Sequence, residues 1–127
     1  MASLPLFDRL NEPALCSVSE LTAQIKATLE EDFSDVALVG EVSNLSRPRS
    51  GHVYLSLKDE SSQIRAVIWK SVAQRLAFDL SDGLSVRVWG ELAVYAPRGE
   101  YQITIRRVEP EGIGALELAF RQRFESS

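Results

Sequence analysis

From Val36 to Glu109 apolar residues recur with a period of two in five separate segments, and that pattern restricts the chain to a small, strongly bent β-sheet. Val36, Leu38, Gly40 and Val42 alternate with Ala37, Val39, Glu41 and Ser43, predicting a first strand to about Leu45. His52 to Lys58 is the second; Val53, Leu55 and Leu57 face one way, and His52, Tyr54, Ser56 and Lys58 the other. Asp59-Glu60-Ser61-Ser62 reads as a polar hairpin turn. Gln63 to Trp69 is the third, with Ile64, Ala66 and Ile68 on one face and Arg65, Val67 and Trp69 on the opposite one. Leu84 to Tyr95 and Tyr101 to Glu109 are the fourth and fifth, and in the fifth Tyr101, Ile103 and Ile105 share a face. Gly40 and Gly90 interrupt the first and fourth strands, where a bulge or sharp bend is expected. Five strands, with a short helical or turn-rich connection from Lys70 to Leu80, fit a mainly β, Greek-key OB-fold barrel.

A helix precedes the sheet. Ser17-Val18-Ser19-Glu20 reads as a capping box, and Val18, Leu21, Ile25 and Leu29 form one apolar stripe up to about Asp32. Residues 1–16, interrupted by Pro5 and Pro13, lack periodicity and are expected to be a flexible arm. The barrel domain then covers residues 17–112. Residues 113–127 begin an amphipathic helix, with Leu116, Phe120 and Phe124 at helical spacing, and stop abruptly, as a piece of a longer chain would. A homodimer, through that unpartnered stripe or through strand exchange, is open to such a piece.

A chain of 127 residues is one domain by size. Cys16 is the only cysteine and His52 the only histidine, which removes a disulfide framework and most zinc schemes. No acid or nucleophile stands at a recognisable spacing from His52 for a triad. Glu30-Glu31 and Asp79/Asp82 read as solvated charge rather than as a two-metal cluster. No cofactor is expected in this segment. There is no signal pattern and no apolar run of membrane-spanning length, so the expected location is the cytoplasm. The net charge of −4 argues against a nucleic-acid partner until its distribution is examined. Arg47 to Arg107 holds ten Lys/Arg and six Asp/Glu, a net of +4, and the remainder carries −8.

The basic excess sits where an OB-fold binds oligonucleotides, on the second and third strands and the two loops beside them. Arg47-Pro48-Arg49-Ser50-Gly51 and Ala96-Pro97-Arg98-Gly99-Glu100 are loops in which glycine lets the backbone approach a ligand. Arg47, Arg49 and Arg98 are therefore candidate phosphate contacts, each otherwise a solvated surface arginine. Trp69 either stacks on a base or plugs one end of the barrel; its alternation face, shared with Arg65, favours exposure. Lys70 would meet the adjacent phosphate. Arg65 either binds the strand or pairs with Asp59 or Glu60. Tyr54 is a candidate stacking platform, and His52, beside it, reads as a solvated polar residue. Trp89, on the fourth strand, reads as a packing residue.

Four segments carry a resemblance: Ser17-Val18-Ser19-Glu20-Leu21, Val39-Gly40-Glu41-Val42-Ser43-Asn44, Ser50-Gly51-His52-Val53-Tyr54-Leu55-Ser56-Leu57-Lys58-Asp59 and Tyr95-Ala96-Pro97-Arg98-Gly99-Glu100-Tyr101-Gln102-Ile103. From about Cys16 onward the chain resembles the N-terminal domain of the large subunits of bacterial exodeoxyribonuclease VII. The resemblance implies an OB-fold that holds single-stranded DNA for an exonuclease working from both ends. In that family it precedes a catalytic domain and a coiled-coil region that recruits small subunits, so no catalytic residue carries over. What carries over is the aromatic–cation pair Trp69-Lys70 and the Pro-Arg-Gly loop at Arg98; the family also uses phenylalanine at the position of Trp69. The other reading is an OB-fold that organises subunits through protein contacts.

Overall fold

The computed structural model describes residues 12–111. The arm up to residue 11 and the C-terminal helix expected at 113–127 lie outside the described residues. Helix α1 spans Val18–Asp32 and opens as its sequence requires: the Ser17 hydroxyl accepts the Glu20 N–H at 3.0 Å, and the Glu20 carboxylate accepts the Ser17 N–H at 3.3 Å. Its stripe is not buried. Val18, Leu21 and Ile25 are exposed, and only Leu29 is half-buried. The helix is held instead by its C-terminal end.

Strands β1 (Val36–Ser46), β2 (Val53–Lys58), β3 (Gln63–Ile68), β4 (Ser85–Tyr95) and β5 (Glu100–Pro110) close a barrel in the order β1-β2-β3-β5-β4. Only β3 and β5 run parallel. β1 belongs to two neighbours. Its first half, Val36 to Glu41, pairs with β4, and Glu41 to Ser46 pairs with β2. The irregularity expected at Gly40 falls instead between Ser43 and Ser46, where Asn44 takes a φ of 51°. The freed Leu45 N–H there donates to the Asp82 carboxylate at 3.0 Å, so Asp82 is a structural acceptor rather than solvated charge.

Gly90 does mark a second irregularity. Trp89 faces Arg107 and Gly90 faces Ile105, which leaves Arg106 as an extra residue in β5. A Cβ at Gly90 would lie 2.1 Å from the Thr104 carbonyl oxygen, so no side chain fits. The extra residue resets the alternation. Ile103 and Ile105 point inward before it, and Val108 after it. Beyond Gly90 the outer edge of β4 has left β1, and α1 covers it. The Leu92 N–H donates to the Phe33 carbonyl at 2.9 Å and the Val94 N–H to the Glu30 carboxylate at 3.0 Å. Glu30 is thus a tether, not solvated charge.

The interior is filled by the inward faces read from the alternation. Leu55, Ile68, Val86, Val88 and Ile105 are fully buried. Helix α2 (Lys70–Ala73) and the turns after it bring Phe78 and Leu80 into the same core. Under the end of α1, Leu29, Phe33, Val36, Leu38, Leu92 and Ile103 line an apolar hollow of about 490 Å³. No helix of the described residues is long and apolar enough to cross a membrane.

Candidate nucleic-acid interface

The outward faces of β2 and β3 form one ladder, read in cross-strand pairs. Tyr54 pairs with Val67, Ser56 with Arg65 and Lys58 with Gln63. At the centre the small outward residues are sealed: Ser56 is 1% exposed and Val67 fully buried. Arg65 lies across Ser56 and donates to its hydroxyl at 3.0 Å, which holds the guanidinium on the sheet face. The pairing with Asp59 or Glu60 considered for Arg65 is not formed. The Asp59 carboxylate turns back to accept the N–H groups of Ser61 and Ser62, and those bonds hold its pKa below the ordinary carboxylate value.

One end of the ladder carries an aromatic–cation cluster. The sheet ends at Ile68, one residue earlier than the alternation suggests, and Trp69 caps α2 in an extended conformation. Its ring meets the His52 ring edge-on, with centroids 5.0 Å apart and planes at 85°. The Lys70 N–H donates to His52 Nδ1 at 2.9 Å. That bond makes Nδ1 the acceptor and leaves the ring proton on Nε2. His52 is therefore a positioning residue, half-buried between loop and helix, and not the solvated polar group expected. Gly51 lies against the Lys70 methylenes, where a Cβ would sit 3.0 Å from Cγ and Cδ. Trp69 is 41% exposed, so part of its surface is open to a ligand and the barrel end is not plugged by it.

The other end is a groove of about 760 Å³ between β3 and the β4–β5 loop. Tyr54, Arg65, Tyr95, Arg98 and Tyr101 line it with Gln63 and Gln102. Ala96–Arg98 makes one 3₁₀ turn, closed by Gly99 in the left-handed region, which sets Arg98 beside the two tyrosines. Tyr95 is 54% and Tyr101 56% exposed. Sequence reasoning missed both. Tyr101 shares the face of Ile103 and Ile105, as the alternation gives, but it stands at the barrel rim, where that face opens outward. The signal available was position: a tyrosine on each side of the Pro-Arg-Gly turn.

Of the eight residues predicted from sequence, Tyr54, Arg65 and Arg98 meet in the groove, and Trp69, Lys70 and His52 form the cluster. The first loop's arginines join neither. Arg47 donates to the Leu80 carbonyl at 2.8 Å, and Arg49 is exposed on the turn closed by the Gly51 N–H on the Pro48 carbonyl. Other cations are committed elsewhere: Lys58 to Glu41, Arg106 to Asp35 and Arg107 to Glu109. Arg107 also lies 4.3 Å over the Trp89 ring, and this stacked arginine is the packing partner that the structure gives Trp89. Among the described residues, no group of three or more His, Cys, Asp or Glu stands together as metal ligands would.

A family model described as an OB-fold nucleic acid binding domain matches residues 16–109. The chain belongs to that family. The resemblance to exodeoxyribonuclease VII is shown for this domain as well. The exodeoxyribonuclease 7 large subunit of Rhodopirellula baltica is 57% identical over 106 residues, 84% of this chain and 24% of that protein. The large subunit of Helicobacter pylori is 53% identical over 107 residues, covering 84% of this chain and 26% of that protein. The chain thus spans about a quarter of the length of these relatives. Among solved structures, a replication protein A heterotrimer bound to ssDNA matches with a TM-score of 0.52 at 19% identity, over 73% of this chain and 70% of that one. An asparaginyl-tRNA synthetase from Pyrococcus horikoshii matches with 0.52 at 21% identity, over 78% of this chain and 22% of its own. At such identities these two show the fold alone.

Proposed function

We propose that this domain holds single-stranded DNA for an exodeoxyribonuclease VII large subunit. A catalytic domain in the rest of such a protein would hydrolyse phosphodiester bonds from both ends to give oligonucleotides, in company with small subunits, in the cytoplasm. The domain itself contributes no chemistry to that hydrolysis; it supplies proximity. The observation that carries the reading is the convergence of Tyr54, Tyr95 and Tyr101 with Arg65 and Arg98 in one open groove, on the ladder that also presents Trp69 and Lys70. Rings offer stacking surfaces to bases of any sequence, and the guanidinium and ammonium groups neutralise phosphates.

The cation count sets the character of the binding. With Arg47 held by the Leu80 carbonyl, Arg49, Arg65, Lys70 and Arg98 are the remaining cations of this face and its loops without a carboxylate partner among the described residues. Four phosphate contacts correspond to a log–log salt slope of about −3 at most on a single strand. Stacking must therefore supply much of the affinity. The test is fluorescence anisotropy with labelled oligo-dT at low and moderate salt. Trp69→Ala is expected to weaken binding about five- to a hundredfold, the loss of one stacked base, with an unchanged circular dichroism spectrum. The Trp69→Ala/Lys70→Ala double variant loses more and has a shallower slope. Absence of binding by the parent chain at low salt would overturn the reading.

A second reading has one observation in its favour. Val18 is 84%, Leu21 49% and Ile25 46% exposed, an apolar stripe that a protein partner could cover. Contact of that kind would be nearly indifferent to salt, so the same titration separates the two.

A further inference from the structure

Resting on the DNA-holding reading, we infer that the strand is gripped at two separate stacking stations, so that the ligand is a run of about five nucleotides and a shorter one engages only one station. The first station is Trp69 with His52 and Lys70. The second is the pair Tyr95 and Tyr101 with Arg98.

Their separation follows from the register. Arg65 pairs with Gln102 across the parallel β3–β5 ladder, which sets Tyr101 alongside Ile64. Trp69 lies five residues further along the chain than Ile64, or roughly 17 Å at the rise of a strand. A stacked single strand advances ~3.4 Å per nucleotide, so about five nucleotides bridge the stations. The rings at the ends are open: Trp69 is 41%, Tyr95 54% and Tyr101 56% exposed. The middle offers less ring surface. Val67 and Ser56 are sealed there, Tyr54 is half-buried, and Arg65, exposed across Ser56, presents charge to a phosphate and no ring to a base. Each station by itself offers two rings and one cation, a weak site. Joined through the ligand's own backbone, the second station is met at high effective concentration, and affinity exceeds that of either alone.

The experiment is anisotropy competition with dT2 to dT10 against a labelled dT10, using the 127-residue chain. Affinity is expected to climb at least tenfold between dT3 and dT6 and by no more than the statistical gain beyond. In Tyr95→Ala/Tyr101→Ala that step should shrink to under threefold, with dT3 binding retained at the Trp69 station. A second arm needs no variant. One abasic position is walked along dT6 with the wild-type chain. Loss of a terminal base should cost at least threefold more than loss of a central one. A flat penalty along the hexamer, or a gain from dT3 to dT6 of under twofold, would overturn the two-station grip and leave DNA holding intact. No binding at any length would remove both.

Discussion

The β1–β2 and β4–β5 loops have nearly the same composition, an arginine and a proline followed by glycine, and the structure gives them opposite work. In the first loop Arg49 stays exposed, but the groups on either side of it turn inward. Arg47 grips the Leu80 carbonyl, Gly51 packs on the Lys70 methylenes, and the next residue, His52, holds the Lys70 amide and the Trp69 ring. In the second loop they face out. Arg98 is exposed on the groove, and Gly99 has nothing within 4 Å of where a Cβ would be. The first loop is a clamp that positions a binding surface, and the second is itself part of one. What separates them is where each arginine finds its partner: a carbonyl within the fold, or nothing but solvent and ligand.

The glycines give the largest test of that difference. Gly51 has φ of 90° and a neighbour already at contact; Gly99 has φ of 61° and open space. Gly51→Ala is expected to cost about 2 kcal/mol for a side chain held in a sparsely populated region, and to displace Lys70. Gly99→Ala should cost about 1 kcal/mol, the ordinary penalty of the left-handed conformation. Urea unfolding of both variants measures the gap, and oligo-dT binding at the same time should fall for Gly51→Ala at the Trp69–Lys70 station. Equal losses of stability would erase the distinction between clamp and open loop.

The arginines give the next. Arg47→Ala should lower stability by about 1 kcal/mol, the net worth of one internal hydrogen bond, and leave the salt slope of DNA binding unchanged. Arg98→Ala should leave stability within about 0.5 kcal/mol and flatten the slope by about 0.7, one phosphate contact. If Arg47→Ala flattens the slope instead, Arg47 itself touches DNA and the comparison is wrong.

That split was beyond the reach of the sequence, and the reason is physical. Alternation reports which face of a strand is apolar, and it correctly placed Leu55, Leu57, Ala66, Ile68 and Ile103 inside. The capping box at Ser17 and the helix end at Asp32 were equally legible, because each depends on neighbours three or four residues away. The contacts that decide function join distant residues. Arg47 meets Leu80 across 33 positions, Glu30 meets Val94 across 64, and His52 meets Lys70 across 18. Nothing local distinguishes an arginine with a carbonyl waiting for it from one without. Tyr101 keeps the face that alternation assigns it, and only its exposure was illegible for a related reason: that face is sealed along the barrel wall and leads to solvent at the rim.

The β2–β3 turn sharpens the same rule at its weakest end. Asp59 is acidic and fully exposed, yet it behaves as Arg47 does, by tying its side chain to backbone: it accepts the Ser61 N–H at 3.0 Å and the Ser62 N–H at 2.9 Å. Those two bonds lower its pKa from the ordinary value. A carboxyl whose pKa is lowered on folding contributes stability that is complete above its unfolded value and is lost as the pH falls through the folded one. Asp59→Asn keeps an acceptor oxygen but not the charge. The expected result is a small loss of stability at neutral pH that vanishes as the solution is acidified past the carboxylate range, because the wild-type group is then neutral too. Urea midpoints of both proteins across that range measure it, and oligo-dT affinity at neutral pH should be the same for the two. A difference that persisted in acid would mean that Asp59 acts through shape and not charge, and a change in DNA affinity would mean that backbone-bound side chains at these turns are not confined to holding the fold.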